Sequence, residues 1–331
     1  MSKLTHGIRS VKIENFRCID KLVLDFTDPQ GHPSDIIVIG GPNGSGKTAV
    51  LEACLLAVGG ESLLKGSKGQ AAVRQGTSET RIEVSLNTHE GDESATHQIE
   101  YIANSTDHSW SHDGIQSPSP QWIPHIYFPS CRTPKLVGAL SISSGKHEHT
   151  DSANRDPLPY IKQRLINDKA FALMGGNGAA HVNREMDLFE QVWKRFYPWT
   201  KPRFTIGPAG STSEAGFDVF LHTDELKLSV DELGSGQLEL FTLFGTLLCT
   251  NSERSIIFID EPELHLDPQW HAMLLHDLRK FLPHAQFIVS THSPRVASYV
   301  NSYQRFYIIP ESDPRMTALG LQKKQLELAH V

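Results

Sequence analysis

Ile36-Ile37-Val38-Ile39-Gly40-Gly41-Pro42-Asn43-Gly44-Ser45-Gly46-Lys47-Thr48-Ala49-Val50 runs from a short apolar segment, through a glycine-rich turn, into a helix-forming segment. Gly41 to Thr48 fits G-x-x-x-x-G-K-[ST]. The unbroken apolar run Ile36 to Ile39 predicts a strand buried on both faces. Lys47 to about Val58 predicts a helix stopped by Gly59 and Gly60. In that order, strand, loop and helix form a phosphate cradle: the glycines let the backbone curl, so that N–H groups point inward at an anion. The helix adds its positive end. The candidate nucleotide contacts are Asn43, Gly44, Ser45, Gly46, Lys47, Thr48 and Ala49. Lys47 is expected to reach the β- and γ-phosphates of ATP, and Thr48 to ligate Mg²⁺.

A second apolar strand, Ser255-Ile256-Ile257-Phe258-Ile259, ends in the paired carboxylates Asp260 and Glu261. Strands deliver their C-terminal side chains to the sheet edge where ligands bind. Asp260 is therefore expected to hold Mg²⁺, directly or through water, and Glu261 to polarise the attacking water as general base. A third such strand, Phe287 to Thr291, precedes His292, a candidate for sensing or orienting the γ-phosphate. Glu232-Leu233-Gly234-Ser235-Gly236-Gln237 opens an apolar helix, Gln237 to Leu248. Its glycine-rich start is a second candidate anion site, with Ser235 as an added donor and Gly236 beside it.

The rest of the chain bounds these readings. Its 331 residues carry 39% apolar and 21% charged side chains and a formal net charge of -7. That suits a globular protein and argues against a surface coated in positive charge for nucleic acid, while leaving room for a local basic groove. The longest apolar candidate, Leu238 to Thr250, is too short for a membrane span and contains Glu239. Met1 to Ser10 has no apolar leader core. Cys18, Cys54, Cys131 and Cys249 are scattered, which predicts neither a disulfide framework nor a zinc site and points to a cytoplasmic setting. The grouped histidines, His147 and His149, then His265, His271 and His276, lack metal-ligand spacing and read as solvated.

Alternating positions over 8–27 predict a pair of strands. Further strands are expected over Arg81–Leu86, His97–Ile102, Trp122–Phe128 and Phe217–His222. Helices are expected over Tyr160–Ala172, Val182–Phe196 and Pro268–Phe281. Ala103–Gln121 and Ser141–Pro159 read as loops. Asp151 to Arg203 is modestly basic, with nine Lys and Arg against six Asp and Glu. It reads as a solvated helical insertion or as a surface contacting DNA or a partner.

The ordered set of motifs resembles the ABC-type ATPases, and within them the branch that includes SMC, RecF and OLD-type proteins. Ile13-Glu14-Asn15-Phe16-Arg17 is similar to that branch's N-terminal strand. Asp260-Glu261-Pro262-Glu263-Leu264-His265-Leu266-Asp267-Pro268 is similar to its extended Walker B segment, and Ser290-Thr291-His292-Ser293-Pro294 to its switch. The resemblance covers residues 8–60 and 228–300. It implies an α/β P-loop fold of the ABC type: a two-lobed head with a mixed sheet core, an antiparallel N-terminal sheet and a helical insertion. The implied division is an N-terminal ATPase lobe over 1–134, the insertion over 135–215 and a C-terminal lobe over 216–331.

The resemblance also implies a head-to-tail homodimer or higher oligomer, in which Ser235 of one copy closes on ATP held by the loop of another. Asp267 would stand at that interface, Arg17 near the base or phosphates, and Arg132 where the branch senses the γ-phosphate. Two departures stand out. The serine of the usual signature is Gly234 here, with Ser235 one residue later, and no glutamine marks a Q-loop. Only 39 residues follow His292, too few for the nuclease domain of OLD proteins. The resemblance thus implies an ATP-hydrolysing switch gating a separate effector, such as a nuclease, acting on DNA or RNA, in nucleic-acid processing or phage and mobile-element defence. The alternative is a RecF-like clamp on DNA. A transporter subunit is disfavoured by the N-terminal strand, the absent Q-loop and the altered signature, so no membrane partner is expected.

Overall fold

The three apolar runs sit side by side in one parallel sheet. In the computed structural model they are β3 (Ile36–Gly40), β12 (Ile256–Asp260) and β13 (Gln286–Thr291), and every residue of the three is buried. The structure describes residue 4 and residues 6–309, except 65–72, 91–92, 105, 118–119, 121–122, 131, 133, 143–155, 175–178, 211–215, 225 and 251–253. Adding β8 (His125–Phe128) and β14 (Arg305–Tyr307) gives the sheet order β14-β3-β13-β12-β8. All its pairs are parallel. Burial on both faces explains why these strands read as continuous apolar runs.

The chain forms two compact units. The first comprises residues 1–130, 252–264 and 271–331. Besides the parallel sheet it holds a six-stranded antiparallel sheet. Its strands are β1 (Gly7–Phe16), β2 (Ile19–Asp25), β4 (Glu79–Glu90), β5 (Glu93–Asn104), β6 (His108–His112) and β7 (Ile115–Ser117), in the order β2-β1-β4-β5-β6-β7. The core draws on both sheets and on α1 (Lys47–Ala57), with Ile13, Phe16, Val50, Leu55, Tyr101 and Phe258 all buried. Gln286 stitches β13 to β1: its side chain accepts from Ile8 N at 2.7 Å and donates to Ile8 O at 2.8 Å and Ser34 O at 3.0 Å. This unit also carries α5 (His271–Phe281) and α6 (Pro294–Ser298).

The second unit comprises residues 131–251 and 265–270. It contains α2 (Pro157–Leu173), α3 (Ala179–Phe196), α4 (Ser235–Cys249), and a sheet of β9 (Arg203–Pro208), β10 (Phe217–His222) and β11 (Lys227–Ser229) in the order β11-β10-β9. Phe189 stacks on Phe241 with ring centroids 5.0 Å apart, and Phe196 meets Trp270 edge-on. Lys162 of α2 is wholly buried. Its ammonium lies 2.7 Å from Asp218 Oδ1 and donates to Asp231 Oδ2 and Gly138 O. A buried cation needs such partners, because desolvation opposes its charge.

The mixed α/β architecture with a separate antiparallel sheet is the one expected. Some elements differ from the sequence reading. The presumed loop over 103–121 contains β6 and β7, built from polar residues whose pattern carries no clear alternation. They are held by antiparallel pairing to β5 and to each other. β9, β11 and β14 are further strands that the sequence reading did not name. α5 begins at His271 rather than Pro268. Most of Ser141–Pro159 lies outside the described residues, while Pro157 to Pro159 open α2. Among the described residues no helix is long and apolar enough to cross a membrane.

Candidate functional site

Parallel pairing in the order β3-β13-β12 brings three strand ends to one sheet edge. Gly40 pairs with Thr291, and Ser290 pairs with Asp260. The loops that follow these strands therefore meet, as expected at the carboxyl edge of a parallel sheet.

The glycine loop has the backbone that its composition requires. Gly44 and Gly46 have φ of 78° and 98°, in the left-handed region. A Cβ on Gly41 would lie 2.4 Å from Ile308 O, so the chain can follow this path only with glycine there. Gly46 caps α1 without a side chain, and no acidic residue stands in the first turn. The first-turn amides therefore receive no side-chain cap from Gly46, the arrangement that suits a phosphate. The Lys47 side chain folds over the loop and donates to Pro42 O at 3.0 Å. Ser45 is buried, whereas Asn43 and Gly44 are exposed at the loop tip, and Ala49 is buried in α1.

Asp260 ends β12 almost wholly buried. Its Oδ2 accepts from Thr48 Oγ1 at 2.9 Å, and its Oδ1 accepts from Ser290 Oγ. A hydroxyl and a carboxylate this close supply hard oxygen ligands, which fit Mg²⁺. The next residue, Glu261, has φ 52°, unusual for a residue with a side chain. Its N–H donates to Ser290 O at 2.9 Å, and its own carbonyl accepts from Leu264 N at 3.1 Å. These two bonds hold the left-handed turn, and Glu261 Oε1 stands 3.2 Å from His292 Nδ1.

Glu263 holds the segment from Thr291 to Ser293 in place, a role the sequence reading did not assign. Its Oε1 accepts from Thr291 Oγ1 at 2.5 Å, from Ser293 N at 3.2 Å and from His292 N at 3.3 Å. The signal available was a third carboxylate two residues after the pair. Arg17, with φ 50°, pairs with the buried Glu52 of α1. Burial raises the Glu52 carboxyl, Arg17 opposes this, and the charge of Asp260 adds to the rise. The structure thus joins Arg17 to the site's electrostatics through Glu52.

The remaining candidates belong to the second unit. Ser235 is exposed in the first turn of α4, whose Gly234 N–H donates to Gln237 Oε1 at 3.2 Å. A Cβ on Gly236 would lie 2.8 Å from His265 O, so glycine permits this close approach within the unit. Asp267 is exposed and accepts from Gln269 N at 2.8 Å, forming a local turn. Arg132, expected as a phosphate sensor, has a side chain that is 7% exposed, with Nε donating to Glu239 Oε1 at 2.6 Å, a cation beside a carboxylate buried in α4.

The profile of an AAA-domain family matches residues 10–153. A second AAA-domain profile, described as putative AbiEii toxin, Type IV TA system, matches residues 141–298. The chain is 34% identical over 99 residues to the retron Ec83 probable ATPase of Escherichia coli, a segment covering 27% of this chain and 18% of that protein. It is 49% identical over 41 residues to the Septu protein PtuA of Bacillus thuringiensis, covering 12% of this chain and 10% of that one. The matched segments thus span under a fifth of either relative. Among solved structures, an Smc head bound to the C-winged helix domain of ScpA aligns over 88% of this chain and 91% of that one, with a TM-score of 0.61 at 16% identity. This likeness is one of fold.

Proposed function

We propose, taking as premise that the chain is an ABC-type ATPase of the SMC/RecF/OLD-like branch, that it is a Mg²⁺-dependent ATP hydrolase that dimerises on ATP and gates a separate effector protein. The observation that carries this reading is the meeting of Lys47, Thr48, Asp260, Glu261 and His292 at one sheet edge. Lys47 and the loop amides bind the phosphates. Thr48 and Asp260 are the residues that would hold Mg²⁺, which supplies neutralisation of phosphate charge. Glu261 takes the proton of the attacking water. His292, hydrogen-bonded to Glu261, holds that carboxylate in place and faces the γ-phosphate. The retron and Septu relatives support a setting in phage or mobile-element defence, with the output carried by a partner.

The second unit supplies the dimer contact in this reading, through Ser235, Gly236 and Asp267. Ser235→Arg, placed in a Glu261→Gln background, is expected to abolish ATP-induced dimerisation while each monomer still binds ATP. Light scattering with and without ATP reads this directly, and unchanged assembly would overturn the sandwich. Pull-down of Glu261→Gln with ATP then identifies the effector as a stoichiometric protein. Lys47→Ala is the control: losing its charge-assisted bonds lowers ATP affinity by about 10- to 100-fold. Duplex DNA alone in the pull-down, lost without ATP, would replace the gated switch with a clamp on DNA.

A further inference from the structure

The antiparallel sheet carries a cluster that the nucleotide chemistry leaves unused. His97 lies on β5, His112 ends β6, and Asp113-Gly114 makes the turn into β7. Both turn residues have positive φ, 50° and 81°, the two-residue hairpin geometry that Asp-Gly favours. Asp113 is pinned on one side: its N–H donates to Gln98 O at 2.8 Å, and its Oδ1 accepts from Gln98 N at 2.7 Å. Its Oδ2 then faces both imidazoles, at 3.1 Å from His97 Nδ1 and 3.4 Å from His112 Nε2. One ligand atom from each of the three residues lies within 4.8 Å of the others.

These spacings have a chemical meaning. Tetrahedral zinc with bonds of about 2.0–2.2 Å separates neighbouring ligand atoms by about 3.3 Å. Two imidazoles and one carboxylate are a donor set suited to zinc rather than to Mg²⁺ or Ca²⁺. His97 also has the outer partner that metal-bound imidazoles require, since its Nε2 lies 3.0 Å from Thr88 Oγ1. His112 Nε2 is shielded from solvent and turned toward the carboxylate.

We infer that His97, His112 and Asp113 form a zinc site with a fourth position open to water, pinning the β5–β6–β7 end of the sheet. The site is independent of the nucleotide chemistry. It escaped the sequence reading because His97 and His112 are fifteen positions apart and become neighbours only when β6 pairs back on β5.

The test uses the full chain, stripped of metal by a chelator. It is titrated with Zn²⁺ by calorimetry and with Co²⁺ by visible absorption. One equivalent is expected to saturate the site, with the intense bands of tetrahedral cobalt, and zinc is expected to raise the unfolding temperature. His97→Gln and His112→Gln should each weaken binding at least as much as the 10- to 100-fold typical of losing an outer partner. Thr88→Val should weaken it about tenfold, which keeps the test open if the ligand variants misfold. Asp260→Asn should leave zinc affinity unchanged, separating this site from the nucleotide's. Absence of saturable binding at micromolar zinc overturns the inference. So does undiminished binding in a folded His97→Gln/His112→Gln double variant, where the histidines and Asp113 would form only a hydrogen-bonded knot.

Discussion

Glu261→Gln is expected to bind ATP as tightly as the parent chain and to hydrolyse it about 10²- to 10⁴-fold more slowly, the range a positioned general base contributes. The substitution keeps the side chain's size and its reach toward His292, 3.2 Å away in the parent. It removes only the ability to accept a proton. The contact between Thr48 and Asp260 and the glycine loop lie outside the change, so nucleotide affinity is preserved. Equilibrium binding of ATP and single-turnover hydrolysis, measured on the same preparation, separate the two effects. Turnover at the parent rate would remove Glu261 from the mechanism. A loss of binding equal to the loss of rate would instead mean that the left-handed turn at Glu261, and not its carboxylate, had been damaged.

The second large effect is expected on stability, at Arg132. Its guanidinium and the Glu239 carboxylate are 7% and 2% exposed and paired at 2.6 Å. Arg132→Ala leaves a buried carboxylate without its cation, a change that costs about 3–5 kcal/mol. Burial already pushes the Glu239 carboxyl up, and Arg132 opposes that rise through its charge and hydrogen bond. Without Arg132 the carboxyl rises further. A carboxyl held above its unfolded value penalises folding once the pH exceeds that unfolded value, and the penalty grows until the folded value is passed. The destabilisation is therefore larger at neutral pH than in mild acid. Urea titrations across that range read it directly. Arg132→Met with Glu239→Met should recover most of the loss, because a packed apolar pair carries no desolvation penalty. A stable Arg132→Ala that fails only in hydrolysis would return Arg132 to the nucleotide.

Much of the site was legible because its chemistry is local. The glycine loop, the strand ending in Asp260 and Glu261, and the strand leading to His292 each announce themselves within a few residues. A buried parallel strand has to be apolar along its whole length, and a phosphate loop needs glycines at particular positions. The contacts that escaped notice depend on partners distant in the chain. Glu263 bonds across to Thr291, His292 and Ser293. Arg17 meets Glu52, and Arg132 meets Glu239, 107 positions later. β6 and β7 are short and mostly polar; β6 becomes a strand by pairing with the edge of β5, and β7 by pairing in turn with β6.

The residues alone thus place the glycine loop, the carboxylate pair and the mixed α/β class, since each follows from backbone sterics, burial and periodicity over a few neighbouring positions. Folding settles which charges are paired. It turns Arg132 into the partner of a buried glutamate, pairs Arg17 with the buried Glu52, and gathers His97, His112 and Asp113 around one carboxylate oxygen. An ion pair or a metal site is defined by distances of a few ångströms between atoms that the sequence keeps far apart, and strand pairing and burial are what set those distances.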